Sequence, residues 1–341
     1  MGIKITSLSY ALPEGRITHS QLCERFGKDV MDKVVEASGI WERRESAPNQ
    51  CASDLAIEAA EKILVGIDRN SIDLLIFATQ TPDYLLPTTA CIIQDRLRLR
   101  KDIPAFDINL GCTQFLYALA TAKAFIDSSM ATRALVLSGD TPTKLINPKD
   151  KSAISLFSDA ACACIVEKSQ NDCIENFVFG TDGSGYNDLI CRTSGMRKRP
   201  TAEDFVEKSD ENQNIRANTN LYINGLKIFA FAFKTIPQTV EKLLSNTGLH
   251  KDNIDLFVFH QAGEKIVSSA AKRLSLDENK VYMNMRNIGN CGGSSGAIAI
   301  ADAIKEGKIK PNMRILVCTF GVGLSWSGAI IKMPSELPEI K

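Results

Sequence analysis

The chain has 341 residues, 44% of them hydrophobic, with 40 Lys plus Arg against 40 Asp plus Glu. This balance excludes the global field that draws nucleic acid or an anionic membrane surface, so any basic docking patch has to be local. No run of about eighteen apolar residues occurs, which excludes a helical membrane span.

In chain order, Met1-Gly2-Ile3-Lys4-Ile5 lacks the apolar region and cleavage site of a signal peptide. Ser71-Ile72-Asp73-Leu74-Leu75-Ile76-Phe77-Ala78 reads as a strand. Ala105-Phe106-Asp107-Ile108-Asn109-Leu110 alternates like another strand and runs through Gly111-Cys112 into a helix with apolar Phe115, Leu116, Leu119 and Ala120. Arg133-Ala134-Leu135-Val136-Leu137 is a third strand. Cys162-Ala163-Cys164 falls in an apolar stretch, where both thiols share one strand face and pack in a core. No CxxC or HxxxH partner argues for zinc. Residues 167–175 are polar and mark the midpoint. Residues 196–220, opening on Arg197-Lys198-Arg199-Pro200, read as an exposed excursion of the second half carrying a short helix.

The second half echoes the first. Asn253-Ile254-Asp255-Leu256-Phe257-Val258-Phe259-His260 resembles the strand at 71–78, and Arg314-Ile315-Leu316-Val317-Cys318 the one at 133–137. The offset is 182 at Ile72/Ile254, 181 at Arg133/Arg314 and 178 at Cys112/Asn290. A near-constant offset argues for duplication. Short apolar strands alternating with alanine-rich helices give an α/β class, with halves 1–170 and 171–341 stacked as sheets around buried helices.

Cys112 stands at a strand-to-helix junction, where backbone N–H groups and the helix dipole are expected to lower a thiol pKa. Ten cysteines without an export signal suggest a reducing, cytoplasmic setting. His260 is one of only three histidines and ends its strand; Asn290 lies in the glycine-rich run Asn287-Ile288-Gly289-Asn290-Cys291-Gly292-Gly293. All three sit where strands of α/β sheets end, which is where sites gather. Together they are expected to form one catalytic set.

These segments resemble the β-ketoacyl-ACP synthase III group of the thiolase-like superfamily. The resemblance is carried by Thr81-Pro82-Asp83-Tyr84 with Leu86-Pro87-Thr88-Thr89-Ala90, by Gly111-Cys112-Thr113-Gln114-Phe115, by His260-Gln261-Ala262, by Gly289-Asn290 and by Phe320-Gly321-Val322-Gly323-Leu324-Ser325-Trp326. It implies a five-layer αβαβα fold from two duplicated halves, a homodimer pairing near residues 105–110, and a reaction without metal or cofactor. Cys112 takes an acyl group from an acyl-CoA or acyl-ACP primer. The N–H groups of Cys112 and Gly323 form the oxyanion hole. His260 and Asn290 stabilise the enolate formed when malonyl-ACP loses CO2. Leu86, Gln114, Gly263 and Lys265 are the expected substrate-binding residues, Lys265 toward an acidic acyl carrier protein.

Three positions depart from the family's pattern. Gln114 replaces a common glycine and is expected to reshape the acyl pocket. Gly263 replaces an asparagine. Lys33 and Ala37 stand where housekeeping members carry the tryptophan and arginine that clasp the CoA adenine. An alternative is therefore acyl transfer to an oxygen or nitrogen acceptor on a sugar or specialised metabolite, with His260 as general base. A non-catalytic carrier-protein partner is a third reading, which the Cys–His–Asn set disfavours. A hydroxymethylglutaryl-CoA synthase lacks its acidic base, since Ala78-Thr79-Gln80-Thr81 supplies none.

Overall fold

The computed structural model describes residues 2–341. Ten strands build the body of the two main sheets: β1 (Gly2–Ala11), β2 (Leu74–Ala78), β3 (Ala105–Ile108), β4 (Arg133–Asp140), β5 (Ala160–Ser169), β6 (Ile174–Thr181), β7 (Leu256–Phe259), β8 (Val281–Tyr282), β9 (Arg314–Gly321) and β10 (Ser325–Lys332). A short β11 (Glu339–Ile340) completes the first sheet. The first sheet has the order β11-β1-β5-β4-β2-β3, and the second β8-β7-β9-β10-β6. Without β11 the two are the same sheet twice. In each, one strand pairs antiparallel with the next, that one antiparallel with a third, and the last two join in parallel. The shared order is the structural form of the sequence repeat. The chain passes between the sheets at residues 170–173. β11 departs from a clean split at that point, because it pairs parallel to β1 through Ser7 and Leu8.

Eight helices matter here: α1 (His19–Phe26), α2 (Lys28–Ser38), α3 (Ala52–Ile63), α4 (Thr89–Arg96), α5 (Gln114–Asp127), α6 (Gly225–Thr247), α7 (Glu264–Arg273) and α8 (Ser295–Lys305). The layers follow from strands buried on both faces. Leu74, Ile76 and Ala78 point inward with Leu116, Leu119, Ala297 and Ala301 of α5 and α8, while Leu75 and Phe77 point outward onto α3 and α4. Phe257, Phe259 and Leu316 likewise face α6 and α7. The result is αβαβα, with small residues letting α5 and α8 fit between two sheets. Cys162 and Cys164 both lie in the central core and Ala163 in the outer one, as period-two alternation requires.

The polar excursion at 196–220 holds one small antiparallel pair, Lys208–Ser209 with Ile215–Arg216, and a short 3-10 turn at Ala202–Phe205, and the flanking pair Leu189–Ile190 with Tyr222–Ile223 closes its base. It lies on the first half rather than standing free. Arg216 Nε donates to the fully buried Asp150 carboxylate at 2.8 Å, and its guanidinium stacks on Tyr222 at 5.4 Å. An Arg216→Ala variant leaves that charge buried and unpaired, so we expect a loss of about 3 kcal/mol, read as a lower denaturant midpoint at an unchanged slope.

Candidate active site

Cys112 lies in the turn between β3 and α5, two residues before the helix begins and 8% exposed. The turn is fastened to the β9–β10 hairpin, with the Thr113 and Ser325 hydroxyls 3.1 Å apart and the Ser327 hydroxyl donating to the Thr113 carbonyl. Gly321 ends β9 directly against the thiol. A β-carbon there would stand 2.5 Å from Sγ, so no other residue fits.

The backbone N–H groups of Val322 and of Cys112 itself point to the sulfur. The amide facing the thiol is thus that of Val322, one residue before the expected Gly323. Gly323 lies in the hairpin turn beyond, where a β-carbon would meet the Ser325 backbone nitrogen at 3.0 Å. The thiol pKa also differs from expectation. Burial pushes it up to about 12, with the Asp140 charge adding to the rise, and the two N–H groups only partly oppose this. Desolvation outweighs the helix dipole.

Gln114 is wholly buried rather than lining a substrate surface. Its Nε2 donates to Ser138 Oγ and Asp140 Oδ2, each at 3.0 Å, and its Oε1 has no partner. Asp140, at the end of β4, also accepts from the Gln80 N–H at 2.7 Å, from the Thr79 hydroxyl and from the Gly293 N–H. Burial raises its carboxyl to about 6. This network ties the nucleophile turn to the loop that carries Asn290.

His260 follows β7, and its N–H donates to the Cys318 carbonyl of β9. The ring is buried, meets Phe320 edge-on at 5.3 Å, and has Nδ1 2.7 Å from Ser295 Oγ at the start of α8. Burial pushes its pKa down to about 4, so the imidazole is neutral near pH 7. Asn290 is fixed by its backbone, which donates to the Leu156 carbonyl and accepts from the Ser158 N–H. Its Oδ1 accepts from the Gly292 N–H at 3.1 Å. Gly289 sets up this turn with φ +71°, and a β-carbon there would come within 2.8 Å of the Arg43 β-carbon.

The other expected contacts lie further out. Gly263 lies by Ser38, where a β-carbon would meet only an ordinary 3.6 Å contact. Lys265 is exposed on the first turn of α7. Leu86 is 85% exposed and forms an apolar patch with Tyr84 and Leu85, so it does not line this chain's own nucleophile turn. Ser295, Asp140 and Val322 are site residues the sequence reading missed. Only Ser295 had a signal, as a hydroxyl opening a helix after the glycine run.

The family models for 3-oxoacyl-[acyl-carrier-protein] synthase III and for its C-terminal part match residues 106–183 and 244–333, the stretches that hold Cys112, His260 and Asn290. A β-ketoacyl-[acyl-carrier-protein] synthase III of Caldanaerobacter subterraneus subsp. tengcongensis is 36% identical over 94% of this chain and 95% of its own. The chain belongs to the β-ketoacyl-[acyl-carrier-protein] synthase III family. A Clostridium tetani synthase III is 32% identical over 97% of this chain and 98% of its own. A crystal structure of a 3-oxoacyl-(acyl-carrier-protein) synthase III superposes with a TM-score of 0.95 at 34% identity, covering 98% of this chain and 100% of the other. The Burkholderia xenovorans structure gives 0.92 at 32% identity, covering 100% and 97%. The fold is therefore thiolase-like, and the chain is an acyl-transferring condensing enzyme of the synthase III type.

Proposed function

We propose that this chain joins an acyl primer to malonyl-ACP in two steps at Cys112. In the first, Sγ attacks the primer thioester while the Cys112 and Val322 N–H groups receive the carbonyl oxygen. The exchange balances in protons, since the thiol proton leaves with the departing CoA or carrier thiol. In the second, malonyl-ACP loses CO2, and His260 Nε2–H and Asn290 Nδ2–H donate to the enolate oxygen. The resulting carbanion displaces Cys112 and yields β-ketoacyl-ACP.

The observation that carries this reading is the anchoring of both side chains at one end. Ser295 Oγ stands 2.7 Å from His260 Nδ1, and the Gly292 N–H donates to Asn290 Oδ1, which leaves the Asn290 amide N–H for a substrate. In this reading the Ser295 hydroxyl donates to Nδ1, so the ring proton sits on Nε2 and His260 is a donor to the enolate; the opposite tautomer would make Nε2 the base that transfer to an oxygen or nitrogen acceptor requires. A Ser295→Ala variant should slow discharge of acyl-Cys112 by malonyl-ACP roughly tenfold while leaving acylation unchanged, and Ser295→Thr should restore part of the loss. Single-turnover mass spectrometry reads both steps.

The whole reading is tested by intact-protein mass spectrometry with a panel of acyl-CoA and acyl-ACP donors, followed by malonyl-ACP. An acyl mass on Cys112 that malonyl-ACP discharges into β-ketoacyl-ACP is expected. An acyl-Cys112 that malonyl-ACP leaves untouched would overturn condensation in favour of another acceptor.

A homodimer fits the first sheet. β3 is its edge strand and half-buried, and the exposed Tyr84–Leu86 patch stands beside it, with Asp107 capping the Thr89 and Ala90 amides. Edge pairing would cover both. In this reading the exposed Lys265, on the first turn after the His260 loop, meets an acidic carrier protein. The halves 1–170 and 171–341, a place in fatty acid biosynthesis and a cytoplasmic setting complete the proposal.

A further inference from the structure

Away from Cys112, α1 and α2 form a hairpin through Gly27. His19 and Cys23 are one helical turn apart and share a face of α1, and Asp32 comes from α2. His19 Nε2 stands 2.8 Å from Asp32 Oδ1 and 3.3 Å from Cys23 Sγ. Among the described residues this is the one place where three His, Cys, Asp or Glu ligand atoms converge, all within 4.8 Å of one another.

The geometry is not that of a proton relay, which uses both ring nitrogens. Here both neighbours face Nε2, while Nδ1 is buried without a partner. With its proton on Nε2 the ring donates to the Asp32 carboxylate, and the Cys23 sulfur is a second, weaker neighbour of the same nitrogen. A cation at the centre would engage all three groups at once.

We propose that His19, Cys23 and Asp32 form a binding site for a zinc-class divalent cation. Imidazole nitrogen, thiolate and carboxylate suit zinc, whose bonds of roughly 2.0–2.3 Å a small outward shift of these atoms would accommodate. The Lys28 ammonium binds Asp32 Oδ2 at 2.6 Å, leaving Oδ1 for the ion. Trp41 lies edge-on to the His19 ring at 5.1 Å and carries the Arg286 guanidinium on its face, which fixes the imidazole. His19 and Cys23 also line a groove of about 540 Å³, from which water can complete a four-coordinate shell. Binding converts the Cys23 thiol to thiolate and releases its proton to solvent. The ion would pin α1 to α2, whose C-terminal end at Ser38 and Gly39 packs on Gly263 and Glu264 beside His260.

The test uses the full chain, stripped with chelator and dialysed against micromolar zinc chloride, with zinc counted by elemental analysis and cobalt(II) titrated as a spectroscopic probe. One equivalent of zinc and a thiolate-to-cobalt charge-transfer band are expected, both kept in Cys112→Ala and both lost in Cys23→Ser and Asp32→Asn. Asp32 is partly exposed, so its isosteric amide reports on the site even if the cysteine variant folds poorly. A parent chain that retains no zinc overturns the proposal, as does a folded Cys23→Ser or Asp32→Asn variant that keeps the full equivalent and the band.

Discussion

A Cys112→Ala variant is expected to gain no mass from acyl-CoA or acyl-ACP donors and to lose condensation by roughly a thousandfold or more, the usual consequence of deleting a nucleophile. The expectation does not rest on an unusually acidic thiol. Burial pushes Cys112 up to about 12, and it does the same to Cys162, Cys291 and Cys318. What separates Cys112 is its surroundings. Two backbone N–H groups meet at its sulfur, and Gly321 lets the end of β9 pack directly against it without a side chain. The oxygen of an incoming thioester needs such donors as it becomes an oxyanion, and they cost no reorganisation because the backbone already holds them. Removal of one sulfur from a packed turn should leave the fold intact, so a native melting profile without acylation is the expected pair of results. Acyl mass that persists on the alanine variant would move the nucleophile elsewhere.

The repeat was legible because its signal is apolar alternation, which survives sequence drift. Leu74 and Leu256, Arg133 and Arg314 fall at matching places in two sheets of one strand order. The five layers follow once each strand has two buried faces. β11 was not legible: two residues near the C-terminus carry no periodicity, and only their pairing with Ser7 and Leu8 identifies them.

At the site, residue types were readable and orientations were not. Gly111-Cys112 and Gly289-Asn290 announce turns, but which amide of Gly321-Val322-Gly323 faces the sulfur depends on how the hairpin bends. The dipole at α5 is visible in the sequence, whereas the burial that pushes the Cys112 thiol up is a tertiary property. Gln114 looks like an intrusion into an acyl pocket until Asp140 is seen to hold it from behind. His19 and Cys23 are visible at helical spacing, yet Asp32 joins them only once α2 folds back.

His260→Ala and Asn290→Ala should each cut condensation by about 10² to 10³, the scale for loss of one preorganised donor to a developing oxyanion, while Cys112 still takes up acyl mass. The two half-reactions separate because the thioester oxygen is met by backbone N–H groups that neither substitution touches. In this reading the enolate instead relies on the side-chain N–H donors of His260 and Asn290, which Ser295 and the Gly292 N–H hold in place. Loss of acylation in both variants would assign them to the first step.

The histidine variant has a second readout in pH. His260 has a folded pKa of about 4 against 6.5 unfolded, so the unfolded chain takes up the proton first. Its contribution to stability falls as pH drops from about 6.5 to 4, by about 3 kcal/mol when complete. Asp140 runs the other way: its folded pKa of about 6 exceeds the ordinary 3.8, so its contribution rises over nearly the same window. In the parent the two oppose each other. His260→Ala removes only the first, so its stability relative to the parent should increase steadily as pH is lowered from 6.5 to 4. Chemical denaturation across that range measures it, and a flat difference would mean that His260 is not the neutral, buried donor described here.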